Sequence, residues 1–144
     1  MQVFIIGTPF ETAEALDVRR INKQMIENQQ IMDAILGDET GWWRNHPVVK
    51  SYKKHFQYLY HYHLCLFWYK RGNKPMARKM SEQAMAFKPN FHTEEYFNQM
   101  KRRLYTKNPL YYIRWKDLGK SDCNWYWSDD ENKFIKYVDG KRIE

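Results

Sequence analysis

Apolar side chains recur every three or four residues along most of the chain, a spacing that predicts amphipathic helices. Capping residues and prolines mark the helix starts, and Gly37 and Gly72 mark two of the stops. The predicted helices cover residues 8–36, 47–71, 75–87 and 93–107. The first seven residues are predicted to be extended, and the helical pattern fades after Gly119.

Two short runs near the end of the chain, residues 125–127 and 134–138, flank a polar segment rich in turn-forming residues. This pattern predicts a small C-terminal β-hairpin. A length of 144 residues fits one domain with its own core, and no repeat or long linker divides the chain. We therefore expect an all-α fold in a single compact domain, residues 1–144, with the hairpin appended.

The charge of the chain is strongly positive and unevenly distributed. The formal net charge is +7 and the pI is about 9.3. No acidic residue lies between Glu39 and Glu82, although nine lysines and arginines fall there. A basic stretch is often only a solvated helix face, but one without carboxylates favours an anionic partner such as nucleic acid or a lipid headgroup.

Other features narrow the class of protein further. No stretch approaches the roughly 18 apolar residues of a membrane span, so no membrane partner is expected. The apolar run Val3–Ile6 lacks the length and the basic flank of a signal peptide. Cys65 and Cys123 are too few for a disulfide framework or a zinc site. We expect a soluble intracellular protein with reduced thiols.

The segment from Leu16 to Glu27 has the most informative pattern. On a helix, residues three, four and seven apart share one face, and this face carries Arg20, Lys23, Gln24 and Glu27. One interpretation is an exposed stripe with an ordinary Lys23–Glu27 ion pair. The other places a single carboxylate among cations beside a groove that binds an anion.

A carboxylate in such a groove suits the removal of a base from DNA. The breaking glycosidic bond leaves positive charge on the sugar, and a nearby carboxylate stabilises that charge. An amine that attacks C1′ would form an imine, after which β-elimination cuts the strand. An α-amine has a reference pKa of about 7.7–8.0, so a useful neutral fraction exists at pH 7, unlike for lysine. The α-amine of Met1 is therefore a candidate nucleophile.

Two further segments combine basic and aromatic residues. Residues 41–47 place two tryptophans beside Arg44, Asn45 and His46 at a helix start, which suits phosphate contact and base wedging, although one tryptophan is expected in the core. Residues 101–112 interleave basic residues with tyrosines. Metal-ligand spacing and a glycine-rich phosphate loop do not occur in the sequence, so we expect no metal ion and no cofactor.

Together these segments resemble the pyrimidine-dimer DNA glycosylase family of the phage endonuclease V type, and most closely a bacterial branch of it. The similar elements are Met1–Phe4, Leu16–Glu27, Gly41–Pro47 and Leu104–Tyr112. The resemblance implies an all-α fold of three main helices plus a short helix. It also implies excision of cyclobutane pyrimidine dimers coupled to cutting of abasic sites as a lyase. We accordingly expect a monomer that binds double-stranded DNA and resides in the cytoplasm on the nucleoid.

The resemblance implies roles for individual residues as well. Glu27 matches the catalytic glutamate of the family, and Met1 is expected to supply the amine. The residues expected to bind DNA are Arg19, Arg20, Lys23, Gln24, Trp43, Arg44, Asn45, His46, Lys50, Lys54, Arg102 and Arg103.

Two departures from the family pattern leave alternatives open. Gln2 is too large to permit removal of the initiator methionine, so Met1 is expected to be retained. If the Met1 amine is not the nucleophile, the alternatives are Lys23 as nucleophile or hydrolysis without an imine. The C-terminal tail is acidic, whereas the phage enzyme ends in a basic aromatic segment. The alternative functions are excision of another damaged or modified base and non-catalytic binding of DNA.

Overall fold

The computed structural model describes residues 1–37 and 44–144 and shows a mainly helical chain with a small C-terminal sheet, as predicted. The helices are α1 (Pro9–Ala15), α2 (Val18–Ile35), α3 (Pro47–Tyr52), α4 (Phe56–Lys70), α5 (Lys74–Met85) and α6 (Glu94–Lys107), followed by a 3₁₀-helix (Ile113–Leu118). The strands are β1 (Asn124–Ser128), β2 (Lys133–Val138) and β3 (Lys141–Arg142).

The first predicted helix is two helices, α1 and α2. Its predicted capping box is confirmed: Thr8 Oγ1 accepts a hydrogen bond from Glu11 N at 3.1 Å, and Glu11 Oε1 accepts one from Thr8 N at 2.9 Å. The chain then leaves the helical conformation at Leu16 and Asp17. The Asp17 carboxylate accepts from Arg20 N at 3.3 Å and so caps a new helix. The prediction of one continuous helix was wrong because this cap interrupts the periodic pattern.

The second predicted helix is also divided, into α3 and α4. His46 Nδ1 accepts from Val48 N at 3.1 Å, which confirms the predicted cap of α3. The helix ends because His55 adopts a non-helical conformation with φ −124° and ψ 33°. Ser51 Oγ donates to Trp127 O at 2.7 Å, which joins α3 to β1. The bend lets α3 pack on β1 while α4 turns into the centre of the molecule.

Helix α4 is the central helix and contacts α1, α2 and α5. A helix that is apolar around its circumference is expected in such a place. Tyr58, Leu59, Tyr62 and Leu66 are fully buried. Helices α5 and α6 follow the predicted limits to within two residues. The side-chain oxygens of Asn73 and Thr93 accept hydrogen bonds from backbone N–H groups of the first turn and so cap these helices.

The predicted C-terminal hairpin is confirmed and gains a third strand. Strands β1 and β2 pair antiparallel with Tyr126 opposite Ile135, and β3 pairs with β2, so the strand order is β1-β2-β3. Tyr126 is 5 % exposed because β1 packs on α3. Among the described residues, one edge of β1 has no strand partner, and that edge faces the N-terminal segment.

The N-terminal segment runs through the core without forming a helix or a strand. Val3, Phe4 and Ile5 are buried. Two tyrosine hydroxyls satisfy its carbonyls: Tyr96 donates to Val3 O at 3.1 Å, and Tyr62 donates to Phe4 O. These bonds hold the start of the chain between α4 and α6.

Three further features of the described residues concern cysteines, membrane-spanning helices and metal ligands. The thiols of Cys65 and Cys123 are free. In the described ranges, the helices lack the combination of length and apolar character that crossing a bilayer requires. The same ranges contain no group of three histidine, cysteine or carboxylate side chains arranged to hold a metal ion.

Tyr62→Phe is expected to lower the free energy of unfolding by about 1–3 kcal/mol, because it leaves the buried Phe4 carbonyl without its donor. Urea unfolding followed by circular dichroism measures the change. Tyr60→Phe on the same helix is the matched control, since Tyr60 is 46 % exposed, and it is expected to stay within about 0.5 kcal/mol of the unchanged protein. Equal midpoints for the two variants would contradict the assigned role of Tyr62.

Candidate active site

Glu27 is a buried carboxyl on the inner face of α2 and is 8 % exposed. The backbone N–H of Gln2 lies close to this carboxyl and lowers its pKa slightly, and Oε2 has no hydrogen-bond partner. Burial raises the pKa of Glu27 above its ordinary value of 4.5, and the Met1 amine, Arg20 and Lys23 oppose this shift. A carboxyl with one unsatisfied oxygen in a nearly dry site is suited to proton transfer or to stabilising a cation.

The α-amine of Met1 lies in the electrostatic range of Glu27. Burial lowers the pKa of this amine below its ordinary value of 8.0, and Glu27 opposes the shift. Three cations, Lys107, Lys23 and Arg103, lower it further. A lowered pKa increases the neutral fraction of the amine near pH 7, and the neutral amine is the form that can attack an electrophilic carbon.

His46 borders the amine from the start of α3. Burial, and then the positive charge of the Met1 amine, lower the pKa of His46 to about 4. The imidazole is therefore neutral at pH 7, in agreement with its role as an acceptor in the cap of α3. Its ring lies edge-on to Tyr126, with 5.5 Å between the centroids.

A cationic cavity of about 240 Å³ opens at the junction of α2 and α6. Its lining carries four cations and one carboxylate and consists of Asp17, Arg19, Arg20, Lys23, Lys107, Asn108 and Tyr112. The guanidinium of Arg20 also lies 4.9 Å from the centre of the Phe4 ring, which fixes its direction. This excess of positive charge suits phosphate groups.

A second cavity, of about 600 Å³, lies along the junction between α3 and the C-terminal sheet. Asn45, Lys50 and Lys54 line one side of it, and the acidic β1–β2 turn, residues 129–131, lines the other. Lys54 Nζ is 3.7 Å from Asp129 Oδ2. The basic stretch 40–81 contains no carboxylate, but the fold places the carboxylates of residues 129–131 opposite two of its lysines. These negative charges weaken the positive potential at this cavity.

Three of the predicted DNA-binding residues serve the protein itself. Gln24 has no exposed surface: its Oε1 accepts from Phe4 N at 2.9 Å and its Nε2 donates to Asn28 Oδ1 at 2.8 Å, so it holds the N-terminal segment and does not line the groove. Arg102 Nε donates to Leu118 O at 2.9 Å. Arg103 donates to Ser121 O before β1 and to Asn124 Oδ1 at the start of β1, and burial lowers its pKa.

The remaining predicted residues have the following positions. Trp43, together with the neighbouring Gly41 and Trp42, lies outside the described residues. Arg44 is exposed immediately before α3. Lys107, Gln2 and Tyr126 belong to the surroundings of the amine but were not singled out from the sequence. Lys107 could have been found within the basic, tyrosine-rich segment 101–112, whereas Tyr126 has no local signal because its role depends on tertiary contact.

The pH dependence of α-amine acetylation tests the charge environment of Met1. The lowered pKa predicts that the rate, followed by mass spectrometry of the N-terminal peptide, rises with pH at values below those of an ordinary α-amine. Lys107→Gln removes a cation, so the pKa rises and the rate curve moves to higher pH. Glu27→Gln removes the carboxylate that raises the amine pKa, so the curve moves to lower pH. Lys79→Gln, on the exposed side of α5, serves as the control and is expected to leave the curve in place.

Comparison with known proteins identifies one family. A family model described as pyrimidine dimer DNA glycosylase matches residues 1–80, which is more than half of the chain. No curated protein and no solved structure matches the chain. The matched region contains Met1, Glu27 and the groove cations of α2, whereas α6 and the C-terminal sheet lie beyond it.

Proposed function

The chain belongs to the pyrimidine dimer DNA glycosylase family, and we propose that it excises the base of a cyclobutane pyrimidine dimer in duplex DNA and then cuts the strand as a lyase. One observation carries this proposal: an α-amine with a lowered pKa and a buried, partly unsatisfied carboxyl share one site beside a cationic cavity. An amine and a carboxyl are the two groups that imine-forming base excision requires.

The groove cations supply the binding energy in this proposal. Arg19, Arg20 and Lys23 on α2 and Lys107 on α6 surround a space that one or two phosphates can occupy. Lys50 is exposed on α3 and is a further candidate for a phosphate contact, in a second cavity that also has acidic residues in its lining. Contacts of this kind offset the cost of kinking the duplex and unstacking a nucleotide, which is a few kcal/mol.

The chemical step begins with the lone pair of the Met1 amine. It attacks C1′, and the C1′–N bond breaks; the base leaves with that electron pair and takes a proton from the attacking amine. The nitrogen lone pair then opens the sugar ring by forming C1′=N, and O4′ takes a proton from the Glu27 carboxyl. The products are a protonated imine between Met1 and C1′, a free C4′ hydroxyl, and an ionised Glu27.

The same carboxyl completes the reaction. Glu27, now ionised, takes a proton from C2′, and the electrons expel the 3′ phosphate by β-elimination. Water hydrolyses the resulting unsaturated imine and returns the free amine. The raised pKa of Glu27 supports both roles, because it keeps a protonated fraction for the first transfer and gives a stronger base for the second.

Borohydride trapping tests the amine and the carboxyl together. With DNA that contains one cyclobutane dimer, the unchanged protein is expected to form a covalent adduct at Met1, and Glu27→Gln to lower the trapping rate by about 10²-fold or more. Glu82→Gln, an exposed carboxylate on α5, is the control and is expected to trap normally.

The other outcomes decide among the alternatives. An adduct that maps to Lys23 would transfer the role of nucleophile to that residue. Base release without any adduct would remove the lyase step, and trapping only with other damaged bases in a lesion panel would change the substrate. Tight binding of DNA without base release from any lesion would overturn the proposal in favour of a non-catalytic binding protein.

Salt dependence tests the groove. Arg19→Ala is expected to weaken binding of a short duplex and to reduce the slope of log K against log salt by about one unit, because one phosphate contact is lost. Lys79→Ala, outside the cavity lining, is expected to leave the slope unchanged. Fluorescence anisotropy at several salt concentrations measures both, and equal slopes would place the DNA on another surface.

A further inference from the structure

The first residue of a chain usually frays, and a nucleophile located there needs something to fix its direction. In this protein the fixing contacts come from β1, which lies outside the matched residues 1–80. The contacts use the edge of β1 that has no strand partner in the described part of the chain.

Gln2 joins the N-terminal segment to that edge. Its side-chain Nε2 donates to Trp125 O at 3.2 Å, and its Oε1 accepts from Trp125 N at 3.1 Å. The amide thus makes both hydrogen bonds that a neighbouring strand would make, and it is 2 % exposed. The backbone N–H of the same residue lies close to Glu27 and lowers the pKa of its carboxyl. Gln2 is therefore bonded to β1 through its side chain and lies beside the carboxyl through its backbone.

Tyr126 makes the second contact, directly to the terminal residue. Its hydroxyl donates to Met1 O at 2.7 Å. Its ring is buried against His46 and Tyr137, with centroid distances of 5.5 Å to each. A hydroxyl on a ring packed in this way has a fixed position, and it therefore fixes the Met1 carbonyl oxygen as well. That oxygen is two bonds from Cα, the carbon that bears the amine nitrogen.

We propose that Tyr126 and Gln2 are positioning residues that hold the Met1 amine toward Glu27, and that the C-terminal sheet is consequently a structural part of the active site. The inference rests on the proposed function for its catalytic meaning, but the fixed position of the amine can be measured without DNA. A sheet that only covered the core would need neither the hydroxyl of Tyr126 nor the amide of Gln2.

The test removes these polar groups and keeps the packing. Tyr126→Phe loses the bond to Met1 O, and Gln2→Leu loses both bonds to Trp125 while remaining too large for removal of Met1, which intact mass verifies. Tyr137→Phe, on the neighbouring strand, is the matched control because it keeps the Tyr126 hydroxyl. Each variant is measured by single-turnover trapping at saturating dimer-containing DNA, by its DNA affinity, and by the pH dependence of α-amine acetylation.

The expected result is a loss of tenfold to about 10²-fold in trapping rate for Tyr126→Phe and for Gln2→Leu. Their DNA affinity stays within about twofold, and their acetylation curve moves toward that of an ordinary α-amine, as expected when the amine moves out of its buried position. Tyr137→Phe keeps the values of the unchanged protein.

Unchanged rates and acetylation curves in both variants would overturn the inference while leaving the proposed function intact. A rate loss of the same size in Tyr137→Phe would overturn it too, because a general weakening of the sheet would then explain the effect. Failure of the unchanged protein to trap any DNA would overturn the proposed function instead, and the shift of the acetylation curve would still decide the position of the amine.

Discussion

An extended segment can lie inside a helical body only if its backbone polar groups find partners there, since an unpaired buried amide or carbonyl costs about 1–3 kcal/mol. In this chain Gln24, Tyr62 and Tyr96 supply those partners to Val3 and Phe4. The fixed path of the segment brings the first two residues to the inner face of α2. The hydrogen bonds of three interior side chains thus help to place the amine within the electrostatic influence of Glu27.

The same burial prepares both groups for chemistry, in opposite directions. Removal from water disfavours every charged form, so it lowers the pKa of the amine and raises the pKa of the carboxyl. The neighbouring cations lower the pKa of both groups. This favours the neutral form of the amine and partly opposes the rise in the pKa of Glu27. Cations in the groove therefore serve two purposes in the proposed mechanism: they attract phosphate and they help to keep the nucleophile uncharged.

Local pattern was sufficient for the helical class, for the limits of α5 and α6 and for the C-terminal hairpin. It failed at residues 16–17 and 53–55, where the periodic pattern continues through the break between two helices. At Asp17 a distant residue supports this break: the hydroxyl of Tyr112, 95 residues away, accepts a hydrogen bond from Asp17 N at 3.1 Å. Helical spacing also placed Arg20, Lys23 and Glu27 on a common face, and the structure brings them together with Met1. It could not separate Gln24 from this set, because spacing shows which residues share a face but not how deeply each is buried.

The contact between Met1 and Tyr126 joins residues that are 125 positions apart. During translation Met1 leaves the ribosome before β1, the strand that holds it, has been synthesised. A nascent polypeptide therefore carries its amine without the fixed geometry described above. In the proposed mechanism, the nucleophile therefore gains its fixed position only after β1 has been made and has packed on α3.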